Sequence, residues 1–133
     1  MADLSRIKAL ELAIGLPFPK SYRQFLEEHK WVSHRPEWIV RANPDRWGVH
    51  GLFELDGGAS YAQSDEAYRL VFDVIPNAFC PIGEDASGNL YLIDCRTEAG
   101  PIFWWDHERS AFSDGLESVS ETFSKFLEDI APE

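Results

Sequence analysis

Basic residues are scarce in this sequence. Twelve Lys and Arg stand against 23 Asp and Glu, a net charge of −11 over 133 residues. So acidic a surface repels nucleic-acid and membrane phosphates, so neither is an expected partner. It attracts basic proteins and speeds their capture, although solubility alone is served by the same charge. Long apolar runs are missing: none approaches the roughly 20 residues that cross a bilayer. The opening Met1-Ala2-Asp3-Leu4 lacks the basic-then-apolar layout of a secretory leader. The expected location is the cytoplasm. Repeats, low-complexity tracts and linkers are absent too, and the length predicts a single domain over residues 1–133. With 44% hydrophobic and 14% aromatic residues, the chain is not of the disordered class. At this length roughly two thirds of the unfolded surface becomes buried, enough for an independent core.

Cysteine is nearly absent as well. Cys80 and Cys95 form no CxxC or ligand array, so a zinc site is not expected. If the turn between them centres on Ser87-Gly88, they face each other across a hairpin, and suitable Cα spacing would allow a disulfide. In a cytosolic chain two buried thiols are the expected state. Gly57-Gly58 is followed by no Lys-Ser/Thr and framed by no GxGxxG, so it is not a phosphate loop. Asp85-x-Ser87-x-Asn89 begins like a calcium loop. Its glycine, however, stands at the fourth place, and Arg96 occupies the twelfth, where a bidentate Glu is needed. It reads as a hairpin turn. No metal or cofactor is expected.

What is present is organised around residues 79–108. Phe79–Ile82, Leu90–Cys95 and Ile102–Trp105 are apolar runs separated by the turn-formers Gly83–Asn89 and Arg96–Pro101, a pattern of antiparallel hairpins. Ile102-Phe103-Trp104-Trp105 does not alternate, so this strand should be covered on both faces. Helices to cover it are predicted at both ends of the chain. Leu4, Ile7, Leu10 and Ile14 recur at helical spacing between the cap Asp3 and the stop Gly15. After the rigid Gly15-Leu16-Pro17-Phe18-Pro19, a second helix over Lys20–His29 carries Tyr22, Phe25 and Leu26 on its apolar face. Trp38–Val40 and Trp47–Leu55 read as strands around the turn Ala42–Asp45. In the longer run Trp47, Val49, Gly51, Phe53 and Leu55 share the expected core face. Asp56–Ala59 is a flexible connection, and Ser64–Phe72 a short helix capped by Ser64. A last helix is predicted behind a capping box of Ser118 and Glu121, with Val119, Phe123, Phe126, Leu127 and Ile130 as its stripe. Helices, then strands, then a helix give an α+β fold with a mostly antiparallel sheet flanked by N-terminal and C-terminal helices.

Catalytic constellations are hard to assemble. His29 and His34 lie five apart across a helix end and share no face, so they are not a metal pair. His107, between Asp106 and Glu108, can be drawn as a general base oriented by a carboxylate. No nucleophile or oxyanion loop accompanies it, and a polar strand-end turn is the preferred reading. The five tryptophans, Trp31, Trp38, Trp47, Trp104 and Trp105, are first of all core. Trp104 and Trp105 must point to opposite faces, which brings one of them towards the surface as an interface anchor.

One family matches these motifs in order. They are Leu10–Ile14, Gly15-Leu16-Pro17-x-Pro19 and Tyr22-x-x-Phe25-Leu26, followed by Pro81-Ile82-Gly83-x-Asp85, Gly88-Asn89 and Leu92-x-Asp94. Ile102-Phe103-Trp104-x-Asp106-His107-Glu108 and Ser120-x-x-Phe123-x-x-Phe126-Leu127 complete the series. Together, over nearly the whole chain, they resemble the SUKH superfamily, the Smi/Knr domain. Where many members carry Asn-Gly after the second helix, this chain has His29-Lys30-Trp31. The resemblance implies an α+β fold and a binding protein without catalytic residues. Bacterial members are mostly immunity proteins that bind and block secreted polymorphic toxins, many of them nucleases, in the cytoplasm. Fungal members are scaffold-like regulators of cell-wall synthesis.

The expectation is therefore a non-enzymatic immunity protein that occludes a basic toxin domain by stoichiometric binding. Its expected contacts are the turn acids Glu84, Asp85, Asp106 and Glu108, with Asp56 from the preceding loop and Trp104 or Trp105 as anchor. A regulatory or scaffold module without a toxin is the alternative, and an enzyme built on His107 ranks last. Oligomeric state is left open, a strand-edge homodimer being one form it could take.

Overall fold

The computed structural model describes residues 3–28, 38–56, 63–108 and 115–132. The turn His29-Lys30-Trp31, together with His34 and Gly57–Ala59, lies outside the described residues.

The first helix, α1, runs over Leu4–Ile14. Extended Asp3 caps it, its Oδ1 accepting the Ser5 backbone N–H at 2.9 Å. Gly15 closes it in the left-handed region at φ +92°, a conformation cheap only for glycine. Ile7 and Leu10 are buried, whereas Leu4, in the first turn, is 55% exposed. Glu11 then fixes the elbow: its carboxylate accepts the Phe18 N–H at 2.7 Å and pairs with Arg23 at 3.2 Å. Helix α2, Lys20–Glu28, buries Tyr22, Phe25 and Leu26 as its spacing requires.

The strands form two antiparallel sheets where one was expected. Strands β1 (Trp38–Val40), β2 (Gly48–Val49) and β8 (Ile130–Pro132) make a three-stranded sheet in the order β2-β1-β8. A five-stranded sheet follows chain order through β3 (Gly51–Leu52), β4 (Phe79–Glu84), β5 (Leu90–Asp94), β6 (Ile102–Trp105) and β7 (Leu116–Ser120). The run Trp47–Leu55 changes sheets at His50: Val49 pairs with Trp38, and Gly51 with Glu84. That switch breaks the expected single face. Trp47, Val49 and Leu55 join one core, Leu52 joins them, and Phe53 turns to the other. Gly83 accommodates the crossing strand, since a Cβ there would lie 2.7 Å from the Gly51 carbonyl oxygen.

Both faces of the five-stranded sheet are covered. On one side Tyr91, Ile93 and Ile102 meet Ile7, Leu10, Tyr22, Phe25, Phe123 and Phe126 from α1, α2 and α4 (Phe123–Asp129). On the other, Phe79, Leu90, Leu92 and Trp105 meet α3 (Ser64–Val71) through Ala67, Tyr68 and Val71. Trp104 and Trp105 do take opposite faces: Trp104 packs against the first core and Trp105 belongs to the second.

Three local expectations fail, each for a physical reason. Ser64 is the first helical residue of α3 and not its cap. Gln63 holds the cap position, and Ser64 is fully buried with its Oγ 3.2 Å from the Tyr22 hydroxyl. Ser118 and Glu121 make no capping box, because Ser118 lies in β7 opposite Phe103. Thr122 caps α4, accepting the Lys125 N–H at 2.9 Å. Cys80 and Cys95 do not face each other. Cys80 pairs with Ile93 because Gly83 and Glu84 belong to β4 and a bulge follows Pro81. Both thiols are free and buried.

Replacing the true cap, Thr122→Ala, should cost about 1 kcal/mol. Ser118→Ala should stay within about 0.5 kcal/mol. Urea midpoints of the two variants check this.

Candidate functional site

The β4–β5 turn is built on one carboxylate. Asp85 Oδ1 accepts the backbone N–H groups of Ser87 and Asn89, both at 2.9 Å. Its Oδ2 accepts the Asn89 side-chain amide at 3.1 Å and the Trp104 indole N–H at 3.0 Å. Gly88 supplies the left-handed residue that the turn needs, at φ +90°. Asn89, oriented by Asp85, offers its Oδ1 to the backbone N–H of His107 at 3.1 Å and to His107 Nδ1 at 2.7 Å. An amide oxygen only accepts, so Nδ1 carries the imidazole proton. The turn and the β6 end are thereby locked together.

Beyond this lock the site divides by face. On the Trp104 side the guanidinium of Arg46 lies 5.2 Å from the ring centroid and pairs with Glu117 of β7. Trp104 is thus half-buried between a turn acid and a cation. Asp106 is half-buried, accepting the Glu108 N–H at 2.9 Å, and Glu108 is exposed. On the other side Trp105 is only 4% exposed, and its indole N–H has no partner among the described residues.

Trp105 helps to line a groove of about 270 Å³ between α3 and the sheet. Phe53, Leu70, Val71 and Leu90 supply further apolar lining, and Glu66, Glu84 and His107 the ionisable groups. Glu84 is half-buried, and burial pushes its carboxyl above the usual glutamate range; His50 opposes the shift and Asp85 adds to it. Glu66 is paired with Arg69 at 2.7 Å. Leu70 is 72% exposed beside the groove. Neither Leu70 nor Glu66 stands out in the sequence. An exposed leucine on a short helix becomes informative only once the opposing wall is known.

The expected contacts are partly brought together. Leu90 pairs with Trp105 and with Glu84, so Glu84, Asp85, Trp104, Trp105, Asp106 and Glu108 gather at one end of the five-stranded sheet. Asp56 does not join them. Its strand leaves that end at Gly51, and Asp56 sits beyond Leu55, bonded to Gln63 in both directions at 2.9 Å. Asp85 is committed to the turn, which makes it a scaffold residue more than a free contact.

The buried thiols belong elsewhere. Burial pushes Cys80 well up and Cys95 to about 12, with neighbouring thiol and carboxylate groups adding to the effect. Both therefore stay protonated and weakly nucleophilic. No cluster of three metal-ligating side chains occurs among the described residues. No helix among them is long and apolar enough to cross a membrane.

Two outcomes follow from this geometry. Asp85→Ala should destabilise the fold by about 2–4 kcal/mol in urea unfolding, since several bonds to one charged group are lost, while Glu108→Ala should stay within about 0.5 kcal/mol. Glu84 behaves oppositely. Its folded pKa is raised, so its contribution is favourable at low pH and is lost as pH climbs through the folded value. Glu84→Gln should therefore raise the urea midpoint at neutral pH, and the gain should vanish below the ordinary glutamate range.

The chain is similar to the SPbeta prophage-derived uncharacterized protein YokK of Bacillus subtilis (strain 168), with 26% identity over 144 residues, 96% of this chain and 74% of that protein. The profile of the SMI1 / KNR4 family (SUKH-1) matches residues 1–129. With that match spanning nearly its whole length, the chain belongs to the SMI1 / KNR4 family, SUKH-1.

Proposed function

We propose that this protein is an immunity protein, which binds a cognate secreted toxin domain in the cytoplasm and neutralises it by stoichiometric occlusion. Family membership over residues 1–129 is the observation that carries the reading. The charge of −11 supports a basic partner, such as a nuclease whose cleft is built to hold phosphates. The face at the Asp85 end of the sheet supports a binding role. It combines a locked hairpin, half-buried acids and an open apolar groove, the mixture of anchor and charged rim that tight inhibitors use. The protein acts in this reading by shape and charge, and His107 serves as a structural tie to Asn89.

The test is co-expression with a toxin domain, taken from the neighbouring gene if one encodes it. The expected result is survival of the producing cells and a one-to-one complex that weakens as salt rises. Continued killing, or capture of host proteins alone, would replace the immunity reading with that of a regulatory interaction module.

A further inference from the structure

Helix α3 carries apolar surface that the described residues leave uncovered: Leu70 is 72% and Phe72 53% exposed. It borders two recesses with different electrostatics. The cleft towards α1 holds its own ion pair, Arg6 with Asp65 at 2.8 Å. The groove towards the sheet, about 270 Å³, has no lysine or arginine in its lining. Sites for drug-sized molecules run to roughly 300–1,000 Å³, so this one suits a single long side chain.

Its two acids are matched differently. Glu66 is matched by Arg69 at 2.7 Å, whereas half-buried Glu84 has no lysine or arginine beside it in the groove and is opposed in charge by His50. A half-buried carboxylate raised by burial costs the free protein stability at neutral pH and complements a strong cation arriving from outside. The wall beside it includes the indole of Trp105, and guanidinium groups stack on aromatic rings while forking onto carboxylates.

We propose that the groove between α3 and the β4–β5 hairpin seats one arginine side chain of a basic protein partner, its guanidinium on Glu84 and its stem against Leu70 and Trp105. The partner class is taken from the immunity reading above; the groove and its chemistry are read from this chain. With Glu66 already matched by Arg69, Glu84 is the acid of the groove that selects for charge. Its burial in the free protein is then a stability cost recovered on binding.

The probe is acetyl-Leu-Arg-Leu-amide, followed by ¹⁵N NMR, with the peptide carrying citrulline in place of arginine as the neutral isostere. The arginine peptide should shift the Trp105 indole N–H and the backbone amides of α3. The citrulline peptide should bind about tenfold more weakly, the scale of one hydrogen-bonded charge. Glu84→Gln should fold and should lower the arginine peptide to the citrulline level. No shifts, shifts scattered over the acidic surface, or equal binding by both peptides and by Glu84→Gln would overturn the assignment. Toxin neutralisation by such a protein would survive that result. A protein that takes the arginine peptide in the groove but neutralises no toxin keeps the site and loses the immunity reading.

Discussion

Strand β5 has no solvent-facing side. Each residue of Leu90–Asp94 is buried, Tyr91 and Ile93 under α1, α2 and α4, Leu90 and Leu92 under α3. Everything else follows from enclosing that strand. The four helices among the described residues divide between its two faces, the chain ends supplying one cover and the middle the other. The acid at the end of the strand, Asp94, is tolerated because Arg96 forks onto it at 2.8–2.9 Å and also stacks 5.4 Å over Phe79. Burial alone would raise the Asp94 pKa, but these bonds hold it below the usual range.

Much of this enclosure was legible. Helix α1 was readable to the residue, because Asp3 and Gly15 are local signals that act without tertiary help. The double cover of Ile102–Trp105 could be inferred from the lack of alternation. The failures lie where a distant partner decides. Ser118 looks like a cap until β6 claims it as a strand residue. Cys80 and Cys95 look opposed until the hairpin keeps Gly83 and Glu84 in β4 and inserts a bulge. Trp47–Leu55 looks like one strand until His50 hands it from one sheet to the other. None of these choices is encoded within a few residues of where it shows.

The candidate contacts were chosen from the sequence without their geometry. Turn acids and paired tryptophans could be picked from the sequence, and most of them gather at one sheet end. What could not be seen is their division of labour. Asp85 is consumed in holding the turn and Trp104, while Glu84, one residue earlier, turns into a groove whose other wall, α3, comes from a separate part of the chain. Neighbouring acids thus serve opposite ends: one stabilises the fold and the other is left costly. Retaining a half-buried carboxylate that burial penalises is the expected mark of a surface shaped for a partner.

The most direct measurement is hydrogen exchange on the protein alone and in complex with the protein partner proposed for it, a basic toxin domain. The account predicts added protection on α3 and on the hairpin around Glu84–Leu90, with the Asp3 and Asp56 end unchanged. Protection confined to that opposite end, or no complex at all, would contradict it.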